Sequence, residues 1–362
     1  MIPVPDPMLQ NIAFFIALAV CVFVFRAKNK EGALGRESTL ALKGFAILAV
    51  IFSHIGYFLV ADHSFLFPLS TFGGVGVDIF LLLSGFGLTM SALSKSRPML
   101  DFYLRHAKKV YLPMWIVVAF LFVADFFLLG RAYGLGYIAH TFAGFFSSAD
   151  LWADVDSPLW FFTLILWFYF LFPLLFSRRR SWFSAIAIAA VTSVAVMVAA
   201  PLLPGVTYLY ALHILAFPLG ILLASLYSWH RKRIDSIFDA FDMRVRLLLL
   251  AGLFVPLWFF TVHSGVGTPW AQYASLMLVG VVLLFFALQR SESQFLVILG
   301  TYSYEIYLLH WPLMSRYDIL YAALPASLAT ALYIAVFLAL AYMLRLAEAK
   351  LLGVLARRSP SR

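Results

Sequence analysis

The sequence is poor in charge and almost free of cysteine. Only 12% of its 362 residues are Asp, Glu, Lys or Arg, about half the share usual in soluble domains. A soluble chain could not hide the 64% that are hydrophobic, because folding buries only about three-quarters of a 300-residue chain's surface. A single cysteine, Cys21, excludes an internal disulfide. The composition indicates an integral membrane protein and excludes a soluble enzyme, a disordered scaffold and a nucleic-acid-binding domain.

Several motifs of phosphate binding, hydrolysis and metal binding are also missing. The sequence has no Walker A loop, no G-x-S-x-G elbow, no H-E-x-x-H and no Cys/His cluster. His140, His213 and His263 are scattered without the spacing of metal ligands. We therefore expect no metal and no permanently bound cofactor.

Apolar runs dominate what is present. Eleven runs have the length of about 17–25 residues that a membrane-spanning helix needs. They lie at 9–26, 41–60, 73–93, 112–130, 158–177, 182–201, 207–227, 247–264, 269–288, 296–315 and 322–345. The predicted fold is an all-α polytopic membrane protein.

The runs suggest three regions. Residues 1–38 form an N-terminal transmembrane anchor with a basic linker, 39–346 the main membrane domain and 347–362 a short basic tail. In the inner loop 228–246, apolar residues recur at helical spacing opposite charges, which predicts an interfacial helix.

The distribution of basic residues predicts the orientation. If the N-terminus lies outside, all of the 26 Lys and Arg residues except Arg131 and Arg316 fall in cytoplasmic segments or span ends. This is the asymmetry that the positive-inside rule describes. Met1–Gln10 carries no positive charge, the reverse of a secretory signal, so the first span is expected to be an uncleaved anchor. We expect a multi-pass protein of the bacterial inner membrane with a cytoplasmic C-terminus.

Lys43 and His54 are the most informative ionisable residues. They lie eleven residues apart in the run LKGFAILAVIFSH, which corresponds to about 1100° of helix, roughly 20° from whole turns, and to a rise of about 16 Å. Both side chains therefore share one helical face. An anion held at Lys43 could extend a flexible arm along this face to a catalytic imidazole of His54. The alternative is a snorkelling lysine and an unrelated buried histidine.

Asp78 lies at about the same depth in the next span, within GGVGVDIFLLLSGF. If the two spans are antiparallel neighbours, its carboxylate can contact His54 and raise the basicity of the imidazole. The sequence thus makes Asp78 a second candidate catalytic residue. The alternative is a carboxylate that stabilises the positive end of its own helix.

Arg105 and Lys108 lie three residues apart in the following inner loop, as neighbours on one helical face. Such a pair of cations suits phosphate or pyrophosphate. The alternative is a plain topology signal, since every inner loop of this chain is basic.

Four further residues are candidates for substrate binding. Glu305 and His310 lie inside a predicted span that Pro312 should kink, which indicates a polar cavity or a hydrogen-bond network between helices. Trp160 begins a span from outside and offers an aromatic platform for a sugar ring or a belt tryptophan. Ser84 permits close approach of a ligand or a helix.

Three segments in this order resemble the acyltransferase-3 family of integral-membrane acyltransferases. They are Lys43 followed by His54, then GVDIFLLLSGF at 76–86, then FYLRHAKKVYLP at 102–113. The segments SPLWFFTLILWFYFLFPLL and TYSYEIYLLHWPL are similar to later parts of the family. The resemblance covers roughly residues 40–345 and implies a ten-span core, to which the first span is an addition.

The resemblance implies an activity and residue roles. Members transfer acyl groups, commonly acetyl from acetyl-CoA, to hydroxyls of extracytoplasmic carbohydrates. His54 resembles the catalytic histidine, Lys43 its basic partner, and Arg105 and Lys108 the cytoplasmic basic pair, with Lys108 in place of arginine. Leu81 replaces a frequent phenylalanine, a mild departure. The extra hydrolase-like domain of some members is not expected here.

These observations predict an O-acyltransferase. Its partners would be acyl-CoA, expected to be acetyl-CoA, as donor, a surface polysaccharide or lipid-linked glycan as acceptor, and the lipid bilayer. The rival hypothesis is a transporter or flippase of an amphipathic anion, which would use the same embedded residues as a pathway.

Overall fold

The structure is a computed structural model that describes residues 1–28, 31–95, 97–264, 270–289 and 291–358, with side chains as far as Gly353. Within these residues, ten helical stretches are long and apolar enough to cross a membrane. The predicted all-α polytopic fold is confirmed. The helices are α1 (Pro7–Val24), α2 (Arg36–His54), α3 (Gly73–Ser94), α4 (Met99–Leu129), α5 (Leu135–Ala143), α6 (Trp160–Leu175), α7 (Ser181–Ala199), α8 (Pro204–His213), α9 (Ala216–Ala240), α10 (Met243–Gly252), α11 (Phe254–His263), α12 (Ala271–Leu288), α13 (Gln294–Thr301), α14 (Ser303–Ser315) and α15 (Ala326–Arg358).

The predicted span 296–315 is divided between two shorter helices, α13 and α14. Tyr302 separates them with a backbone φ of −106° and ψ of 12°, outside the α-helical range. The hydroxyl of Ser303 donates to the carbonyl of Gly300, which satisfies one of the carbonyls released at the break. Pro312 lies inside α14, and the helix continues to Ser315.

Two predicted inner loops are largely helical. The segment 94–111 becomes helical at Met99, so Arg105, Lys108 and Lys109 lie in the first part of the long helix α4, whereas Lys95 and Arg97 precede it. The predicted interfacial helix in 228–246 is mostly the last part of α9, which continues to Ala240 after a kink at His230. The predicted tail 347–362 likewise begins as a continuation of α15 to Arg358; residues 359–362 lie outside the described part.

Close helix contacts place α2 in the centre of the bundle. A Cβ added to Gly44 of α2 would lie 2.0 Å from the carbonyl oxygen of Leu296, and one added to Gly300 would lie 1.8 Å from that of Leu40. Glycine at both positions therefore lets α2 and α13 meet backbone to backbone. Most of α2 is buried as a result.

The extra N-terminal helix α1 is fastened at both ends. At one end, β1 (Arg26–Lys28) pairs antiparallel with β2 (Ser291–Ser293), immediately before α13. At the other end, Ile2 bridges Val60, just beyond His54. We call the end of the bundle that holds Ile2 and the loop 131–157 the His54 end, and the opposite end the strand end.

Candidate active site

His54 is the last residue of α2 and is followed by a π-helical turn, Ile55–Leu59. The structure places Lys43 on the same continuous helix, as the spacing predicts. His54 is half-buried. Its imidazole ring packs against Trp311 at a centroid distance of 5.2 Å and against Phe58 at 6.0 Å. Two aromatic rings thus bound the imidazole near the His54 end.

One hydrogen bond fixes the tautomer of His54. Its Nδ1 lies 2.9 Å from the carbonyl oxygen of Val50. Because a carbonyl only accepts, Nδ1 carries the proton. In the neutral ring, Nε2 then holds the lone pair that a general base needs.

His310 approaches His54 from α14. His310 Nε2 lies 3.3 Å from His54 Nδ1, and the ring centroids are 5.0 Å apart. His310 Nδ1 donates to the carbonyl of Tyr307 at 2.8 Å, so its Nε2 carries the lone pair and accepts from His54. His310 is fully buried. The N–H on Nδ1 of His54 is therefore shared between the carbonyl of Val50 and His310 Nε2.

Asp78 does not form the predicted contact with His54. Its Oδ1 accepts from His213 Nδ1 at 2.7 Å, its Oδ2 accepts from the hydroxyl of Ser275, and it is fully buried. Gly73 of α3 lies against Ser53, and Gly76 lies against Ala46 and Val50. Asp78 is therefore deeper in the bundle than His54, and it is bonded to α8 and α12. The catalytic role of Asp78 stays a prediction, and the contact through which it was expected to act is absent.

Trp160 packs against the histidine that binds Asp78, His213. Its ring stacks on His213 with an interplanar angle of 22° and a centroid distance of 5.7 Å. It also lies 6.1 Å from Tyr210. One face of the tryptophan predicted as a sugar platform thus contacts His213, Trp160 is half-buried, and its role as a platform stays a prediction.

Lys43 faces the strand end without a counter-ion. Among the described residues its ammonium group has no hydrogen bond or salt bridge, and Lys109 interacts with it electrostatically. Two cations with no neutralising carboxylate could together hold a multiply charged anion.

Arg105 and Lys108 lie differently. Arg105 forms an exposed salt bridge with Asp101, one turn earlier on α4, and Lys108 is exposed. Of the three basic residues Arg105, Lys108 and Lys109, the last is the one that interacts electrostatically with Lys43. The donor-binding role of Arg105 and Lys108 stays a prediction.

The remaining candidates are internally bonded. Glu305 accepts from Arg345 Nε at 2.9 Å and from Arg345 Nη2 at 2.6 Å, and thereby joins α14 to α15. Ser84 interacts with the hydroxyl of Tyr169. Both observations fit the alternative interpretation of hydrogen-bond networks between helices.

A network of ionic and hydroxyl groups centred on Asp125 and Arg316 joins helices at the His54 end. Asp125 of α4 forms a buried salt bridge with Arg316 and accepts from the hydroxyls of Tyr133 and Tyr317. Burial and the hydrogen bond to Asp125 raise the pKa of Tyr133 to about 12. Arg316 also donates to the carbonyl of Asp154 at 2.6 Å, which ties the loop 131–157 to the end of α14.

Sequence reasoning missed the residues that complete the site. His310 was a substrate-binding candidate, yet it contacts His54 directly; Trp311 and Lys109 were not singled out. The order H-W-P in α14 and the run R-H-A-K-K in α4 were visible. Which of these side chains turns toward α2 depends on helix packing.

The fold and the site define a polytopic membrane protein that holds a pair of histidines, His54 and His310, inside its helix bundle. Residues 41–346 match the acyltransferase-3 family model, described as an acyltransferase domain. The match spans most of the chain, so the protein belongs to the acyltransferase-3 family and is a membrane acyltransferase. No curated protein and no solved structure matches the chain.

Proposed function

We propose that this protein is an O-acyltransferase that moves an acyl group, expected to be acetyl, from cytoplasmic acyl-CoA to a hydroxyl of an extracytoplasmic or lipid-linked carbohydrate. The observation that carries the proposal is the tautomer of His54. The N–H on Nδ1 is bound to Val50, so the lone pair on Nε2 is free. A weakly acidic hydroxyl needs such a base before it can attack a thioester.

The reaction follows from this arrangement. The acceptor oxygen attacks the thioester carbonyl carbon while His54 Nε2 takes the hydroxyl proton. The tetrahedral intermediate then collapses, the C–S bond breaks, and the proton on His54 Nε2 passes to the departing sulfur to give free CoA. During the step the imidazolium of His54 is stabilised by Val50 and His310, which both accept from Nδ1–H.

The donor would bind through the two cations at the strand end. Lys43 and Lys109 carry adjacent positive charges that the described residues do not neutralise, and the diphosphate of CoA is anionic. The eleven helical steps from Lys43 to His54 correspond to about 16 Å of helix. The flexible pantetheine arm of CoA is long enough to cover that distance along one face of α2.

The proposed orientation rests on charge. The strand end carries most of the basic residues, which the positive-inside rule places in the cytoplasm. Acyl-CoA would then enter from the strand end, and the acceptor would meet His54 from the opposite side.

The direct test uses purified protein in lipid nanodiscs with acetyl-CoA and glycans extracted from the source membranes. We expect release of free CoA, measured with a thiol reagent, and a matching gain of one acetyl ester on the glycan by mass spectrometry. The His54→Ala protein is the control. Accumulation of substrate across a vesicle membrane without any CoA release would contradict the proposal and favour the transporter hypothesis.

Orientation is tested separately with single cysteines in a Cys21→Ser background. Cysteines at Ser148 and Ser264 should react with an impermeant thiol reagent in intact cells, and one at Ser236 should not. Labelling at Ser236 would reverse the orientation and place the donor site on the wrong face.

A further inference from the structure

Asp154 and Asp156 of the loop 131–157 lie two residues apart, but only the carboxylate of Asp154 accepts hydrogen bonds from the described residues. Asp154 accepts from the hydroxyl of Ser148 and from the backbone N–H of Asp150, each at 2.9 Å, and from the hydroxyl of Tyr137. Asp156 is 1% exposed, and both its carboxylate oxygens lack a hydrogen-bond partner among the described residues. A buried carboxylate normally accepts several hydrogen bonds. Asp156 therefore has unused hydrogen-bonding capacity in the interior.

No nearby cation compensates Asp156 directly. Arg316 interacts with it electrostatically, but the guanidinium forms its salt bridge with Asp125 and donates to the carbonyl of Asp154. Burial raises the pKa of the Asp156 carboxyl well above its ordinary value, and Arg316 only partly opposes this effect. An unpaired buried carboxyl costs stability.

The place of Asp156 connects it with the histidine pair. The hydroxyl of Tyr307 donates to the carbonyl of Pro158, two residues after Asp156. Tyr307 and Asp156 also interact electrostatically. Tyr307 is one turn before His310 on α14 and accepts its Nδ1–H. The unpartnered carboxyl of Asp156 thus faces the part of α14 that holds Tyr307 and His310, and His310 in turn contacts His54.

Trp152, four residues before Asp156 in the same loop, adds an exposed aromatic surface at this end of the bundle. Its side chain is 56% exposed, and it packs edge-on against Trp311 at 5.6 Å. Trp311 is in turn the ring that contacts His54. A large aromatic ring exposed at the mouth of a site offers an apolar face to a flat ligand.

We propose that Asp156 and Trp152 form the acceptor subsite, in which a polyhydroxylated ring such as a pyranoside stacks on Trp152 and hydrogen-bonds through its hydroxyls to Asp156. The proposal rests on the proposed function only in taking the acceptor to be a carbohydrate. A sugar combines an apolar face with several hydroxyl groups, which matches one exposed ring and one unsatisfied carboxyl. The cost of keeping Asp156 unpaired in the free protein is then recovered when the acceptor binds.

The test measures binding without donor, so it is independent of acyl transfer. Purified protein in nanodiscs is titrated with p-nitrophenyl glycosides of glucose, galactose, mannose, rhamnose and N-acetylglucosamine, and bound ligand is followed by equilibrium dialysis. We expect at least one glycoside to bind. Asp156→Leu should raise its Kd at least tenfold and Trp152→Ala at least fivefold, while the Kd of acetyl-CoA changes less than twofold.

Asp154→Leu is the matched control. It removes satisfied hydrogen bonds and should lower the melting temperature, whereas Asp156→Leu should leave it equal or raised, because a buried unpaired polar group is removed. If Asp156→Leu melts as low as Asp154→Leu, Asp156 has a structural role and the proposal is wrong. Failure of every glycoside to bind the native protein, or binding unaffected by both Asp156→Leu and Trp152→Ala, would also overturn it. Absence of CoA release with normal glycoside binding would instead contradict the proposed function alone.

Discussion

Two buried histidines in this bundle, His310 and His213, have different partners. His310 meets another histidine, His54, and all hydrogen bonds of that pair end on carbonyls or ring nitrogens. His213 meets the carboxylate of Asp78, whose second oxygen accepts from Ser275. In the His54–His310 pair, Nε2 of His54 can still accept a proton. In the Asp78–His213 pair, both carboxylate oxygens already accept hydrogen bonds.

The difference separates two uses of a buried polar group in a membrane. A carboxylate in hydrocarbon needs hydrogen-bond partners on both oxygens, and a group bonded in this way holds helices together. A neutral histidine can remain in the interior with one nitrogen unused and so keep the capacity to accept a proton. The following experiments contrast His54 and His310, which we propose to be the reactive pair, with Asp78 and His213, which we expect to act structurally.

The largest effect is expected for His54. His54→Ala should lower kcat about a hundredfold or more, the usual contribution of a general base, while the Kd of acyl-CoA is unchanged. Steady-state CoA release and equilibrium binding measure the two quantities. Normal turnover by a well-expressed His54→Ala protein would remove His54 from the mechanism and leave His310 as the next candidate.

His310 should have the second largest effect, through His54. His310→Leu removes the acceptor that faces Nδ1–H of the His54 imidazolium, a charged hydrogen bond of about 1.5–3 kcal/mol. We expect kcat to fall about ten- to hundredfold with both KM values unchanged. His310→Gln, whose amide oxygen can accept the same N–H, should recover part of the rate. Equal losses in both variants would indicate a packing role only.

Asp78 should affect stability more than rate. Asp78→Asn weakens a buried pair, and breaking such a pair costs about 3–5 kcal/mol. We expect a lower melting temperature in detergent, with kcat of the folded protein within threefold of the native value. A strong fall in kcat at unchanged melting temperature would instead favour the contact between Asp78 and His54 that the sequence predicts, since Asp78 would then act on His54.

The smallest effects are expected for variants of the basic residues proposed to bind acyl-CoA. Lys43→Gln and Lys109→Gln should each raise the KM for acyl-CoA about five- to tenfold, because each removes a charge that the protein does not neutralise. Arg105→Gln should change it less than threefold, because Arg105 is already paired with Asp101 in an exposed salt bridge. Equal effects at all three positions would support the cytoplasmic pair expected from the family resemblance.

The break between α13 and α14 shows where hydropathy reaches its limit. Residues 296–315 are apolar enough to form one span, and the sequence contains a proline, Pro312, at which a kink was expected. The helix is interrupted at Tyr302 instead. A hydropathy profile averages over a window of about 19 residues. It therefore carries no information on where the backbone hydrogen bonds of a helix are interrupted within that window.

The sequence by itself determined the all-α polytopic fold, the approximate bounds of most spans, the basic asymmetry and the common helix of Lys43 and His54, because length, hydropathy and helical spacing are local properties. It predicted eleven spans, whereas the described residues form ten stretches long and apolar enough to cross a membrane. Only the tertiary structure decided that His310, 256 residues away, is the partner of His54. It also decided that Asp78 belongs to His213 and that Asp156 is left without a partner. These contacts depend on the order and rotation of the packed helices. Close contacts between residues far apart in the sequence, such as that of Gly44 with α13, fix that order and rotation.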